Sequence, residues 1–343
     1  MKKNKKVVAF GEILLRLGTY RYERFIQARK FEALYTGAET NACVSLANFG
    51  VDNFIVSKIP SNEIGQACIN YMRSFGLNTD YILRGGKRLG LFYLETGYSQ
   101  RPSKVIYDRA GSAITELKEE ELNWTNIFQG KDWFHFSGTT PALAENVARI
   151  TRKACNTAKN LGLTVSCDLN YRKKLWSQEE ARTIMSQLME FVDVLICNEE
   201  DAEMVFGIKA EGADVKSGQL NAEKYTEVAR QLHKKFNLKY VAITLRESIS
   251  ATINNWAGLL YDGNRFYTSV SYEMHIVDRV GGGDSFTGGL IYGLITGMRM
   301  QDVIEFATAA SCLKHSIHGD FNLASIEEVE MLMKGDKSGR VQR

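Results

Sequence analysis

Short apolar runs alternate with helical patterns along almost the whole chain. Val7–Phe10, Phe54–Lys58, Trp133–Ser137, Thr164–Asp168, Val192–Cys197 and Tyr240–Leu245 are bounded by polar or glycine residues and read as strands. Between them, Thr40–Phe49, Gly65–Phe75, Ala142–Leu161, Gln178–Phe191 and Ala222–Phe236 read as helices. Such alternation predicts an α/β fold with a mostly parallel sheet covered by helices on both faces. Phe286–Thr296 and Met300–His315 read as two consecutive helices, with Gly288, Gly289 and Gly293 allowing close backbone approach.

Two segments break this rhythm. Residues 12–36 are charged and aromatic without helical periodicity, and residues 88–112 are β-rich. They read either as ordinary edge hairpins or as a small accessory sheet. A sheet lying over a cleft would act as a lid that excludes water. Pro60, Pro102 and Pro141 mark no interdomain linker, so residues 1–343 read as one domain carrying a β lid. The polar end Lys334–Arg343 is expected to fray.

Composition narrows the class. A chain with 44% hydrophobic and 24% charged residues is that of a soluble globular protein, and a net charge of +3 sets up no global field for nucleic acid or acidic membranes. The lysines of Lys2–Lys6 read as a solvated tail, and no 18-residue apolar run suggests a membrane span. Six cysteines lie scattered without a CxxC pair, several in apolar runs. Reduced, buried thiols are the expectation, which points to the cytoplasm. The five histidines are equally unclustered, so a His/Cys metal site is not expected.

Asp278-Arg-Val-Gly-Gly-Gly-Asp284 carries the sharpest chemical signal. Gly281, Gly282 and Gly283 leave main-chain N–H groups unshielded where a helix begins, and such an end attracts anions. A carboxylate held against an anion site makes sense as a base acting on an attacking group. The arrangement suits phosphoryl transfer, with Asp284 as base and the glycine amides stabilising the phosphoryl. The plainer alternative is a flexible loop with Asp284 as helix cap. The string is neither a P-loop nor a dinucleotide fingerprint.

Three other groups stand at suitable addresses. Asp168-Leu-Asn-Tyr-Arg172 follows a strand, and Arg172 reads as a bidentate anion ligand or as the partner of a surface acid. Cys197-Asn-Glu-Glu-Asp201 follows another; its oxygen ligands suit Mg²⁺ directly or through water, or form an acidic helix start. Tyr107 and Arg109 share a strand face, Tyr93 sits in Leu-Phe-Tyr-Leu, and Thr36-Gly-Ala-Glu-Thr-Asn41 opens a helix. Together they supply two cations and several hydroxyl-reading groups, as a small acidic substrate requires.

These segments together resemble the ribokinase-like (PfkB) sugar kinases, over about Val7 to Ser325. The family's C-terminal D-T-x-G-A-G-D-like string is matched by Asp278–Asp284, its asparagine-x-x-glutamate motif by Asn198–Asp201, and its glycine-rich substrate motif by Thr36–Asn41. Tyr107-x-Arg109-x-Gly-Ser-Ala113, Asp168-x-Asn-Tyr-Arg172-x-x-Leu-Trp176 and Gly319-Asp-Phe-Asn322 are most similar to the 2-keto-3-deoxygluconate kinases within it. The resemblance implies a ribokinase-like doubly wound domain with a β-sheet lid, dependent on ATP and Mg²⁺. It implies transfer of the γ-phosphoryl to a terminal hydroxyl of a sugar acid, most naturally 2-keto-3-deoxygluconate to its 6-phosphate.

Carried over by position, Asp284 is the base and Gly281–Gly283 the anion hole. Gly37, Asn41, Tyr93, Tyr107, Arg109 and Arg172 would hold the sugar, with the two arginines on its carboxylate. Asn198, Glu200 and Asp201 would organise Mg²⁺, the last two through water. Asn198, Thr244, Arg246, Gly281, Gly283, Ser311 and His315 would meet the nucleotide. A monovalent-cation requirement stays open, and the lid edge is the expected homo-oligomer surface. Three departures stand out: Thr36-Gly37 replaces a usual glycine pair, Asp201 a usual glutamate, and residues 244–251 lack the usual glycine-rich loop. A neutral-sugar kinase such as fructokinase and a non-catalytic sugar-binding protein are the alternative readings.

Overall fold

The computed structural model describes residues 4–198, 200–209 and 222–335. A ten-stranded sheet forms its body. From one edge the strands are Phe266–Thr268, Ile253–Tyr261, Tyr240–Ser248, Val194–Asn198, Thr164–Asp168, Trp133–Ser137, Lys6–Phe10, Asp52–Ile59 and Ile82–Arg84, with Tyr272–His275 beside Ile253–Tyr261. From Tyr240–Ser248 to Ile82–Arg84 every pairing is parallel, and the remaining pairings are antiparallel. Parallel strands covered on both faces need continuous apolar runs, and Trp133–Ser137 is buried at every position.

Helices Glu145–Asn160, Gln178–Met189 and Ala222–Phe236 cover one face. Helices Ala38–Asn48, Glu63–Ser74, Gly282–Thr296 and Met300–His315 cover the other. Glu145–Asn160 shows why such segments dock: Val147, Ile150, Thr151, Ala154, Cys155 and Ala158 form one buried stripe. Gly282–Thr296 is buried on nearly every side because glycine removes the spacers. A Cβ on Gly288 would lie 2.6 Å from Ser45 Cβ, and one on Gly289 would lie 2.9 Å from Ala307 Cα. Three helices thereby seat the N-terminus of Gly282–Thr296 beneath the carboxyl edge of the parallel strands.

A second sheet has the order Phe31–Thr36, Leu14–Thr19, Gly90–Glu95, Lys104–Asp108, drawn from the two stretches that broke the sequence rhythm. Its central pairing is parallel and the outer two are antiparallel. It touches the body where Lys174 Nζ donates to the Val105 carbonyl at 3.4 Å and where Ala251 N donates to Ser99 O at 2.8 Å.

Residues 244–251 were expected as a loop lacking its glycines. They are strand and turn instead: Tyr240–Ser248 continues past Thr244 and returns as Ile253–Tyr261, in a register from Val241↔Tyr261 to Ser248↔Asn254. The expected frayed end lies outside the described residues from position 336, as do Met1–Lys3 of the lysine tail. None of the six cysteines is in a disulfide among the described residues, and five of them are buried. No helix among the described residues is long and apolar enough to cross a membrane.

Candidate active site

A cleft of about 1440 Å³ opens between the carboxyl ends of the parallel strands, the start of helix Gly282–Thr296 and one face of the second sheet. Open α/β sheets bind ligands at this edge. Asp168, Asn198 and Thr244 reach it from strand ends, Leu14, Phe92 and Tyr107 from the second sheet.

Asp284 stands half-buried in the first turn of Gly282–Thr296, which begins at the left-handed Gly281 (φ 81°). The N–H groups of Gly283 and Asp284 have no acceptor among the described residues, so the turn presents two free donors to the cleft. Asn41 Nδ2 donates to Asp284 Oδ2 at 2.7 Å. Burial pushes the Asp284 carboxyl up to about 7, with Glu39 and Asp320 adding to the rise and Asn41 and Arg172 opposing it. A carboxylate balanced near neutrality beside free amide donors can take a proton from a hydroxyl as that hydroxyl attacks an anion held at the turn.

The substrate motif is explained by its contacts. A Cβ on Gly37 would lie 2.2 Å from the Glu12 carbonyl, so position 37 requires glycine for space. Thr36 stands where a second glycine is usual, and its Oγ1 lies 2.6 Å from Asp320 Oδ2 and 2.9 Å from Asn41 Oδ1. Glu39 accepts from Ser137 N, Ser137 Oγ and Thr140 Oγ1 at 2.7–2.8 Å, and burial pushes its carboxyl up.

The two arginines part company. Arg172 is exposed on the cleft rim with no ion-paired carboxylate among the described residues, its Nη1 donating to its neighbour's carbonyl, Tyr171 O, at 3.1 Å. Arg109 lines the cleft too, but its Nε donates to Glu12 Oε2 at 2.7 Å and its Nη2 to the same oxygen, while Ser112 Oγ donates to Glu12 Oε1. Both arginines expected on the substrate carboxylate therefore line one cleft, and Arg109 carries Glu12 as an ion-pair partner. Tyr107 is in the cleft, with its ring 5.8 Å from Phe92.

Tyr93 is not in the cleft. Successive residues of a strand face opposite ways, and Phe92 takes the cleft face of Gly90–Glu95 while Tyr93 packs edge-on against Phe31 on the other. Asn198 lines the cleft, and its Oδ1 accepts from Glu200 N and Asp201 N, both at 2.8 Å, bracing the chain where helix Asp201–Phe206 begins. Asp201 is buried and accepts from Tyr171 N at 3.3 Å and Asn198 N at 3.5 Å, tying two loops together. Glu200 is exposed on the rim, and Glu199 lies outside the described residues.

Among the described residues no cluster of three or more His, Cys, Asp or Glu is arranged to hold a metal by itself. The field nevertheless suits a cation brought in by a phosphate ligand. Asp168 is pushed well above its ordinary range by burial and then by the charges of Asp201 and Asp284, a strain a divalent ion would relieve.

Thr244 and Arg246, expected to meet the nucleotide, line the cleft, joined by Arg279, whose charged form is disfavoured by burial and by Arg246 beside it. Asn254, with its amide oxygen toward the guanidinium, accepts from Arg279 Nη2 at 3.0 Å. Two adjacent guanidinia without carboxylate partners among the described residues fit a polyphosphate. His315 borders the turn, its Nδ1 donating to Ser311 O at 2.6 Å, and burial pushes it down to about 4. Ser311 does not reach the cleft: its Oγ donates to Gly282 O at 2.7 Å and pins the turn from behind.

Glu12, Asp168, Arg279 and Asp320 escaped assignment from sequence. Arg279 and Asp320 lie inside strings already singled out, whereas Glu12 carries no local signal beyond the glycine before it.

The pfkB family carbohydrate kinase pattern matches residues 4–325. A crystal structure of 2-dehydro-3-deoxygluconokinase from Thermotoga maritima is 52% identical, with a TM-score of 0.94 over 97% of this chain and 100% of that one. A PfkB family carbohydrate kinase from Listeria grayi is 32% identical, with a TM-score of 0.89 over 96% of this chain and 100% of that one. The 2-dehydro-3-deoxygalactonokinase of Haloferax volcanii is 32% identical over 334 residues, 97% of this chain and 98% of its own. With a cleft built around the motif aspartate and its glycine turn, and a match that runs nearly end to end, the chain belongs to the pfkB family of carbohydrate kinases.

Proposed function

We propose that the protein is an ATP- and Mg²⁺-dependent kinase of a 2-keto-3-deoxy sugar acid, converting 2-keto-3-deoxygluconate (2-dehydro-3-deoxygluconate) to its 6-phosphate. The observation that carries this reading is Asp284 beside the free amides of the glycine turn, in a cleft whose rim offers the guanidinium of Arg172, unpaired among the described residues. The 52% identity to the Thermotoga maritima enzyme supports the gluconate epimer, while the Haloferax volcanii relative keeps the galactonate epimer in the comparison.

The terminal hydroxyl attacks the γ-phosphorus of ATP and its proton passes to Asp284. The new O–P bond forms as the bond to the β-phosphate oxygen breaks, and ADP leaves with that electron pair. Bound Mg²⁺ would neutralise phosphate charge beside Asp168, Asp201 and the rim carboxylate of Glu200. The Gly283 and Asp284 amides steady the transferring group, Arg246 and Arg279 face the polyphosphate, and Arg172 with Tyr107 orients the sugar acid. Closure of the second sheet as a lid would exclude water.

An ADP-release assay with Mg-ATP tests the reading over 2-keto-3-deoxygluconate, its galactonate epimer, fructose, ribose and no sugar. Turnover confined to the keto-deoxy acids is expected. Arg172→Met should raise KM for the acid about 10- to 100-fold, as loss of a charged hydrogen bond predicts. Turnover on fructose alone would discard the acid. No monovalent cation is expected to be needed, because the buried Lys314 ammonium already meets the carbonyls of Asp278 (2.9 Å) and Ile317 (3.4 Å) under the turn. Equal rates in potassium and tetramethylammonium buffers would bear this out; a strict potassium requirement would refute it.

Homo-oligomerisation through the second sheet is supported by the exposed apolar side chains Tyr20, Tyr22, Ile26, Phe31 and Tyr98 on and around it. Light scattering should return a multiple of the 38.6 kDa chain mass. A monomer at micromolar concentration would sink this part alone. Dependence on ATP accords with the cytoplasmic location expected from reduced cysteines.

A further inference from the structure

Under the glycine turn lies a set of buried charges that the transfer step does not touch. Arg16, on strand Leu14–Thr19 of the second sheet, is only 2% exposed. Its Nη2 donates to Asp278 Oδ2 at 2.6 Å and its Nη1 to Asp320 Oδ1, both carboxylates belonging to the body. Lys314, with none of its surface exposed, completes a group of two cations and two anions.

Each carboxylate also grips part of the catalytic apparatus. Asp278 Oδ1 accepts from Val280 N at 3.1 Å, at the entry to the turn, and its Oδ2 from Gly319 N at 3.3 Å. The Asp320 carbonyl packs so closely on Gly281 that a Cβ there would lie 1.9 Å away. Asp320 Oδ2 meets Thr36 Oγ1, Thr36 Oγ1 lies beside Asn41 Oδ1, and Asn41 Nδ2 donates to Asp284. The contacts lead from the second sheet to the base, with the single Thr36 hydroxyl hydrogen shared between the Asp320 and Asn41 oxygens. A buried ionic group contributes little net stability relative to apolar packing, and in some proteins such groups select one arrangement.

We propose that Arg16 is a positioning residue that fixes Asp284 and the glycine turn in their working geometry according to where the second sheet stands. Closing the sheet over a sugar and aiming the base are then one event. The inference rests on the assignment of Asp284 as base.

The charges facing Asp284 are Glu39 from helix Ala38–Asn48, Asp168 at the end of strand Thr164–Asp168, Arg172 from the loop that follows it, and Asp320 from the loop after Met300–His315. The groups facing Arg16 are Asp278, Asp320 and Lys314, with Tyr71 nearby. Arg16→Met leaves Asp320 uncompensated. It should lower kcat about 10- to 100-fold with KM for ATP little changed, and move the acid limb of the kcat profile to higher pH. Thr36→Val cuts the path without changing charge. It should lower kcat with the limb unmoved, and Thr36→Ser should restore it.

The carboxyl ¹³C titration of Asp284 in aspartate-labelled full-length protein gives a readout independent of substrate. It should move upward in Arg16→Met. Wild-type protein silent on the sugar panel would fail the kinase reading, while the titration still decides the coupling. Were Arg16→Met to misfold, the Thr36→Val and Thr36→Ser pair would decide instead. An unmoved Asp284 titration in folded Arg16→Met, or full kcat in Thr36→Val, would overturn the proposal.

Discussion

Replacing Asp284 by asparagine is expected to lower kcat by about 10²- to 10⁴-fold, the usual worth of a positioned general base, with KM for ATP and sugar acid within a few-fold of wild type. Asparagine keeps the shape, and its Oδ1 can still accept from Asn41 Nδ2, which now donates at 2.7 Å. What disappears is the proton acceptor, while the free amides of the turn remain. In the wild type the base must be ionised, so kcat should fall as pH drops through about 7. Stability runs the other way. The folded state holds the Asp284 proton more tightly than the unfolded chain does, so its contribution is full below the ordinary carboxylate range and is lost as pH rises through about 7. Asp284→Asn should therefore melt above wild type at pH 8 and close to it at pH 4. Steady-state ADP release and thermal melts at several pH values check both halves; a variant keeping more than a tenth of wild-type kcat would remove Asp284 from the base role.

Gly282→Ala is expected to be nearly as damaging by a different route. Its Cβ would lie 2.3 Å from His315 Cε1 and 2.5 Å from Nε2. The ring cannot step aside: Nδ1 is held by Ser311 O at 2.6 Å, and Trp256 lies with its ring centroid 5.4 Å away. The start of the helix must shift instead, and with it the aim of the Gly283 and Asp284 amides. Losing one such donor costs about 10²- to 10³-fold in kcat, and the strained contact should lower the melting temperature as well. Gly283→Ala supplies the contrast, since nothing lies within 4 Å of its added methyl. It should melt like wild type. Equal melting of the two variants would show that the His315 contact relaxes freely.

What could be read from the chain depended on whether the cause of a feature was local. Trp133–Ser137, Thr164–Asp168 and Met300–His315 occupy the residues their patterns indicate, because continuous apolar runs and helical spacing carry their own signal. Strand Ile253–Tyr261 was missed because Asn254, Asn255 and Gly258 break its period. Gly258 is there for a distant reason, as a Cβ would lie 2.8 Å from both Ile304 Cδ1 and Thr308 Oγ1. The same division runs through the site. Gly281–Asp284 announces a helix start within a few residues, and the order of motifs along the chain assigns the rest of the family pattern. Arg109 could not be read, because the carboxylate that occupies it belongs to Glu12, 97 positions earlier. Tyr93 was misassigned by one residue, which in a strand means the opposite face. Asn198 and Asp201 allowed both a metal reading and a helix-start reading from sequence, and their hydrogen bonds to the backbone of Tyr171, Asn198, Glu200 and Asp201 depend on chain folding that no local pattern shows.

On the proposal that Asp284 is the base, its partial burial also governs the step that follows transfer. Each turnover leaves the enzyme holding a proton it must shed before the next sugar can react. A carboxyl in a fully apolar pocket would take that proton avidly and then hold it, and the reset would become the bottleneck. One at the ordinary carboxylate value would release it at once but draw it only weakly from an alcohol. With its carboxyl at about 7 and one side open to the cleft, Asp284 can return the proton to solvent once the products part. The depth at which helix Gly282–Thr296 is sunk therefore sets how the catalytic cycle restarts as well as how it fires.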